Sequence, residues 1–315
     1  MVRALVSIGT NSTRLLVLDG EQRLAADSRG TRLGAGIGPS GTIDPAAREG
    51  TLAAVDEYVG AARALGVTAV DAIATSGLRR AEDADAFGAE VAVRLGVAPR
   101  VLSGEEEASY SFLGATALRD GAESLAVLDV GGGSTELGVD TPANARAHGA
   151  VALTISLEIG AVRLSEKFSA LLGARALASI ERRSLEIEAR SYALGVLAPL
   201  AEARGFVELI AVGGTVFTAA AMIAGGLPDG ATMKRGDCAE LIDALLARDL
   251  EARRAMPHIR PQRADILPAG LIVVDEACRM LDVDHVTVSE ADLLAGYLSS
   301  PAYRAVPFPP PRLLS

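Results

Sequence analysis

The segment Asp129-Val130-Gly131-Gly132-Gly133-Ser134-Thr135-Glu136 sets two carboxylates and two hydroxyls around three consecutive glycines. Consecutive glycines let a backbone turn with positive φ and bring several N–H groups to one point, and such a nest of amides holds anions. Gly131, Gly132 and Gly133 are therefore expected to cradle a phosphate, flanked by the hydroxyls of Ser134 and Thr135. Asp129 ends the strand that enters the loop, where a bound Mg²⁺ would bridge it to phosphate oxygens. Such a hard cation takes one or two carboxylates and completes its shell with water. An ordinary hairpin tip accounts for three glycines, but not for the acid, hydroxyl and acid pattern around them. Two further loops repeat the theme. One is Gly9-Thr10-Asn11-Ser12, with Arg14 in place of an acid. The other, Gly213-Gly214-Thr215, runs from an apolar strand into a helix, whose N-terminus adds unpaired amides and partial positive charge.

Composition narrows the ligands. At 315 residues, half of them hydrophobic and 22% charged, the chain has the profile of a globular protein with room for two ordinary domains. Aromatic residues make up 3% with no Trp, which disfavours surfaces that stack single-stranded bases. A net charge of −10 disfavours nucleic acid and anionic membranes, so a small anionic substrate needs local cations and amides. No stretch approaches a membrane span, and the first seven residues are too short an apolar run for a signal peptide. Cys238 and Cys278 stand alone and read as structural thiols in a reducing cytoplasm. His148, His258 and His285 lack metal-ligand spacing.

The elements that would hold these loops come in one order, twice. Periodicity and punctuation predict strands at Arg3–Ile8 and Arg14–Asp19, and a third within residues 22–33. A helix follows from the Asp44-Pro45 cap to about Leu65, then strand 70–74, helix 85–95, strand 100–102 and helix 105–118. The second half predicts strands 124–129, 134–139 and 151–157, helical material from Ala161 to about Ala203, strand 207–212 and helix 216–224. A helix capped by Asp237, a helix from Pro268 to Met280, strand 285–288 and helix 291–298 complete it. Residues Ser7–Leu15 align without gaps on Asp129–Leu137, with Gly, Ser, Thr and Leu coinciding. A repeat this long means duplicated domains, since solenoid units span roughly 20–50 residues. The expected division is 1–122 and 123–315, with the last helix free to pack back on the first domain, and the loops lining a cleft between the domains.

These loops, in this order, resemble the exopolyphosphatase / guanosine pentaphosphate phosphohydrolase family, of the actin, sugar-kinase and Hsp70 superfamily of duplicated ribonuclease-H-like α/β domains. Thr75-Ser76-Gly77-Leu78-Arg79-Arg80-Ala81-Glu82-Asp83, Ser103-Gly104-Glu105-Glu106-Glu107-Ala108 and Ser156-Leu157-Glu158-Ile159-Gly160-Ala161-Val162-Arg163-Leu164-Ser165-Glu166 are similar to further family motifs. So are Arg263-Ala264-Asp265-Ile266 with Ala269-Gly270, and Val288-Ser289-Glu290. The resemblance covers about Leu5 to Leu298. It implies that Glu107 is the general base activating water against a terminal phosphoryl group, while Glu105 and Glu106 form a solvated first helical turn. It implies that Asp129 and Glu136 place Mg²⁺ or Mn²⁺, that Arg79 serves substrate phosphates with Arg163 as a second candidate, and that the protein forms a homodimer. The implied substrate is inorganic polyphosphate or guanosine pentaphosphate (pppGpp).

The family has Asp where Ser7 stands. Serine does not supply the charge that holds a metal or its water shell, so altered or weakened metal use is expected. Asp83 for Asn and Gly77 for Ala are milder departures. The chain resembles the short two-domain form, which favours short polyphosphates or nucleotide-type substrates. Besides the hydrolase, two readings stay open: a kinase of the same superfamily, which would transfer phosphate to an acceptor, and a non-catalytic sensor of polyphosphate or an alarmone.

Overall fold

The computed structural model of the protein describes residues 2–310. They fall into two compact units: the chain through Ser103 with the segment from Tyr297 onward, and Gly104–Gly296.

In the first unit, strands β1 (Val2–Ile8), β2 (Thr13–Asp19) and β3 (Gln22–Arg29) form an antiparallel meander. Strand β4 (Ala69–Ala74) adds parallel to β1, and β5 (Arg100–Val101) adds parallel to β4. In the second unit, β6 (Leu125–Val130), β7 (Thr135–Asp140) and β8 (Leu153–Leu157) repeat the meander. There β9 (Glu208–Val212) lies parallel to β6, and β11 (His285–Val288) parallel to β9, edged by β10 (Thr232–Lys234). Both sheets thus read third, second, first, fourth strand, with β5 beside the fourth in one and β11 in the other, the mixed α/β order expected of duplicated ribonuclease-H-like domains. The duplication extends to detail. Ile8 pairs Thr13 and Val130 pairs Thr135, at an offset of 122 residues in both strands. Gly9 N donates to Ser12 O at 2.9 Å, and Gly131 N to Ser134 O at 3.0 Å.

Each central strand is buried on both sides, as a covered parallel sheet requires. In β6, Ala126, Leu128 and Val130 enter a core under the helices Ala161–Lys167, Ser179–Leu197, Gly214–Ala224 and Leu267–Met280. Leu125 and Val127 face the other way, onto Phe112 of the helix Gly104–Ala115 and Ala145 of the helix Pro142–His148. Asp129 follows them by the strand's period of two, so it too belongs to the face that Gly104–Ala115 covers.

Several elements correct the sequence-based expectations. The helix Gly104–Ala115 packs on β6, β7 and β8 and so belongs to the second unit, not to a domain ending at 122. The segment from Tyr297 belongs to the first unit, the domain on which the last helix was left free to pack. Buried Asp71 accepts from Tyr297 Oη (3.0 Å) and Arg304 N (2.7 Å), and β12 (Val306–Pro307) extends β4. Asp237 sits in the first turn of the helix Arg235–Leu246 instead of capping it, accepting from Lys234 N at 2.9 Å. The helix Pro142–His148 went unpredicted, although its Thr141 cap and Pro142 are a legible start signal. Cys238 and Cys278 are free, and burial pushes both thiols up to about 12, which keeps them unreactive. No helix among the described residues is long and apolar enough to cross a membrane.

Gly114 fixes how closely the Gly104–Ala115 helix passes the backbone of Asp292 and Gly296, since a Cβ there would overlap the Asp292 carbonyl. Gly114→Ala should therefore cost about 1–3 kcal/mol in urea unfolding, the usual range for overpacking. Gly60→Ala, on the open face of the helix Pro45–Ala64, should instead add about 0.4–1 kcal/mol by restricting the unfolded chain.

Candidate active site

Strand register builds the acidic part of the site. Asp129 on β6 lies opposite Glu136 on β7, and Glu136 lies opposite Ser156 on β8. Residues directly opposite across antiparallel strands share a face, with Cβ atoms about 4.5–5.5 Å apart. The three side chains therefore form a row across the sheet, at the end of β6 that enters the glycine loop. Ligands of open α/β sheets bind at such strand ends.

The helix Gly104–Ala115 lies over this row. Its approach is set by glycines: a Cβ on Gly104 would run into the Ser156 side chain, and one on Gly138 would stand 3.2 Å from Ala108 O. Glu107 and Ser111, one turn apart on one helical face, are both buried. Glu105 is exposed and Glu106 half-buried, so only the third acid of the run turns inward. Ser111 Oγ donates to Asp129 Oδ2 at 2.7 Å, and Ser156 Oγ to Glu136 Oε1 at 3.1 Å. Burial pushes the Glu136 carboxyl well above its ordinary value of 4.5, and the nearby carboxylates of Glu107 and then Asp129 push it further. Hydrogen bonds from Ser134 and Ser156 offset part of that rise.

The glycine loop is braced from behind. Ala161 N donates to Gly131 O (3.0 Å), and Val162 N and Arg163 N donate to Gly132 O (2.9 and 3.2 Å). In a trans peptide the N–H points opposite to the C=O, so these bonds turn the amides of Gly132 and Gly133 away from the Ala161–Lys167 helix. Gly160 makes the brace sterically possible, because a Cβ there would stand 2.6 Å from Gly132 O. Gly131, Gly132 and Gly133 are not among the glycines with left-handed φ, contrary to the expectation of a positive-φ turn. At Gly131 it is close backbone approach that matters, since a Cβ there would stand 3.2 Å from Ser134 O.

At the third loop, Gly213 adopts φ 94° and the helix Gly214–Ala224 begins directly after it. A Cβ on Gly213 would stand 2.8 Å from Asp129 Oδ1, so the carboxylate faces this helix start. The Arg263 guanidinium occupies the place a Gly214 Cβ would take, adding a cation beside the loop. Thr215 is buried against Gly270.

The first unit holds its own predicted residues as the twin of this arrangement. Arg32 N donates to Asn11 O (3.0 Å) and Gly34 N to Thr10 O (2.9 Å), bracing that loop by its carbonyls as well. Thr10 Oγ1 and Ser76 Oγ are 3.0 Å apart, and Asn11 Nδ2 donates to Ser12 Oγ at 3.1 Å. The buried Asn11 Oδ1 has no hydrogen-bond partner. Ser7 stands opposite Arg14, where the second unit sets Asp129 opposite Glu136. Arg79 is half-buried and donates to Leu102 O at 2.6 Å.

Two candidates are redirected. Thr135 is fully buried and donates its hydroxyl to Ile159 O at 2.6 Å, so it closes the loop instead of flanking a ligand. Arg163 pairs with Glu158 at 2.5 Å. Ser111, Ser156 and Arg263 were not singled out from sequence as site residues. Only the tertiary fold brings them to the row and to the third loop.

A family model described as the Ppx/GppA phosphatase family matches residues 17–304. The chain belongs to that family. Exopolyphosphatase 2 of Mycobacterium tuberculosis is 32% identical to it, over 93% of this chain and 96% of that protein. A solved exopolyphosphatase-like protein, 27% identical, superposes with a TM-score of 0.82 over 95% of this chain and 98% of its own. A family member from Aquifex aeolicus, 25% identical, gives 0.72 over 95% and 96%. The motifs that carried the resemblance in the sequence are thus embedded in the family's fold throughout its length.

The residues also fit a hard divalent cation of the kind the resemblance implies. Among the described residues no group of three or more His, Cys, Asp or Glu is gathered closely enough to ligate a metal alone. Asp129 and Glu136 nevertheless offer oxygen donors from one face, which suits a cation that keeps water or ligand oxygens in its shell.

The raised Glu136 carboxyl sets a pH test. Folded protein holds this proton more tightly than unfolded chain, so stability is intact below the ordinary value of 4.5 and is lost as pH rises through the raised folded value. Without divalent cations, Glu136→Gln should melt above the parent protein at pH 7–8, with the difference closing toward pH 4. Melting curves in EDTA across that range check it.

Proposed function

We propose that this chain is a phosphohydrolase that removes the terminal phosphoryl group of inorganic polyphosphate, or of guanosine pentaphosphate, with Glu107 as general base. The observation that carries this reading is the acidic row of half-buried Asp129 and buried Glu136, covered by buried Glu107 and set beside the braced glycine loop. The likeness to exopolyphosphatase 2 supports polyphosphate as the substrate class. The pppGpp alternative rests on the resemblance and on the shared chemistry of the cleaved end.

In this reading the outward amides of Gly132 and Gly133 and the start of the Gly214–Ala224 helix hold phosphate oxygens. In the first unit, Gly9, Thr10, Asn11, Ser12, Arg14 and Arg79 form a phosphate-binding surface of their own. Glu107 orients a water and takes its proton while the water oxygen bonds to the terminal phosphorus and the bridging P–O bond breaks. Asp129 and Glu136 would hold Mg²⁺ or Mn²⁺, whose chemistry there would be to neutralise charge on the phosphoryl group. Glu107 is buried on the sheet-facing side of its helix, away from bulk water.

The Ser7–Arg14 pair favours one second reading, a sensor that binds the same anions without turnover, because its half of the duplication lacks the two acids.

Phosphate release from tripolyphosphate, longer polyphosphate, pppGpp and ATP with Mg²⁺ or Mn²⁺ separates the readings. Release from at least one of the first three is expected. Glu107→Gln should lower kcat about 10²–10⁴-fold with KM changed far less, the usual contribution of a general base. Tight binding of all four without release supports the sensor, and label moving from ATP to an acceptor supports a kinase.

A further inference from the structure

Hydroxyls on the helices of this protein commonly turn back on their own backbone. Ser165 Oγ donates to Ala161 O at 2.8 Å and Thr116 Oγ1 to Phe112 O at 2.7 Å, the i−4 bond open to any helical Ser or Thr. Ser111 instead reaches across to the sheet. Its Oγ, on a side chain 1% exposed, lies 2.7 Å from Asp129 Oδ2. An ionised carboxylate only accepts, so Ser111 is the donor, and a bond to a charged acceptor is among the stronger ones.

The other oxygen of Asp129 faces a different element. Oδ1 points at Gly213, where a Cβ would stand 2.8 Å away and where φ of 94° disfavours any side chain. The χ2 torsion of an aspartate is broad and nearly two-fold, so a carboxylate at a strand end exchanges its oxygens readily unless something holds one of them.

We propose that Ser111 is a positioning residue: by holding Oδ2 it fixes Oδ1 as the oxygen that Asp129 presents toward the Gly213 helix start and the bound cation. This rests on the reading of Asp129 as a cation ligand. Ser111 follows Glu107 by one helical turn, so one short helix sets both the base and the orientation of the acid it works beside. Partners that orient a metal-binding side chain typically account for 10–100-fold in metal affinity.

The test is Mn²⁺ binding to the full chain without substrate, read by EPR of free Mn²⁺, together with melting temperature and kinetics. Ser111→Ala should weaken Mn²⁺ binding about 10-fold or more at unchanged stoichiometry. It should also raise the Mn²⁺ concentration needed for half-maximal turnover. Ser111→Cys, which keeps a weaker donor of similar size, should fall between. Thr116→Val, which removes a hydroxyl bonded only to its own helix, should lower the melting temperature and leave Mn²⁺ affinity within two-fold. The proposal is overturned if Ser111→Ala binds Mn²⁺ as the parent does, if Thr116→Val weakens binding equally, or if the parent binds no Mn²⁺. Parent protein that binds Mn²⁺ through Ser111 yet releases phosphate from no substrate would contradict the hydrolase reading and leave this one standing.

Discussion

Two carboxylates placed opposite each other on neighbouring strands, with a third brought down on them by a helix, repel. The fold holds Asp129, Glu136 and Glu107 in that arrangement nonetheless, with Glu136 2% and Glu107 5% exposed. Like charges facing each other across strands are destabilising, and burial raises the cost of keeping them ionised. Much else in the second unit answers this constraint. Ser134 and Ser156 hydrogen-bond Glu136, Ser111 holds Asp129, and Gly104 and Gly138 let the covering helix come close. A cluster of this kind is stabilised by positive charge brought close to it.

The duplicated architecture shows which parts of that arrangement belong to the fold and which to the chemistry. Both hairpins close with the same Gly-to-Ser backbone bond, and both loops have their carbonyls braced by the segment that follows the third strand. These are requirements of a tight loop between two strands. The facing pair at the strand ends is where the copies part: Asp129 and Glu136 in one, Ser7 and Arg14 in the other. The first copy therefore offers a hydroxyl and a cation where the second offers two anions.

Much of this was legible in the sequence because it is local. The 3.6- and 2-residue periods marked the main strands and helices to within a few residues, and His285–Val288 was bounded as the structure has it. The acid–glycine–hydroxyl–acid pattern identified the loop, and the family resemblance singled out Glu107 from its two neighbours. What stayed hidden is non-local. The bond from Ser111 to Asp129 spans 18 residues and that from Ser156 to Glu136 spans 20, and the motif that contains Ser156 does not show which carboxylate it meets. Arg263 reaches Gly214 from 49 residues downstream. Three-residue β10 and two-residue β12 are too short for any period to show. The placement of the Gly104–Ala115 helix in the second unit followed from packing partners, not from chain order.

The central claim is that the second unit's loop and acidic row direct water to a terminal phosphorus. Hydrolysis of tripolyphosphate in H₂¹⁸O, with mass spectrometry of both products, tests it directly. The account predicts one ¹⁸O in each inorganic phosphate released and none in the pyrophosphate left behind. Label in the pyrophosphate with unlabelled phosphate would place the attack on the internal phosphorus, and no release at all would remove the hydrolytic role; either result contradicts the account.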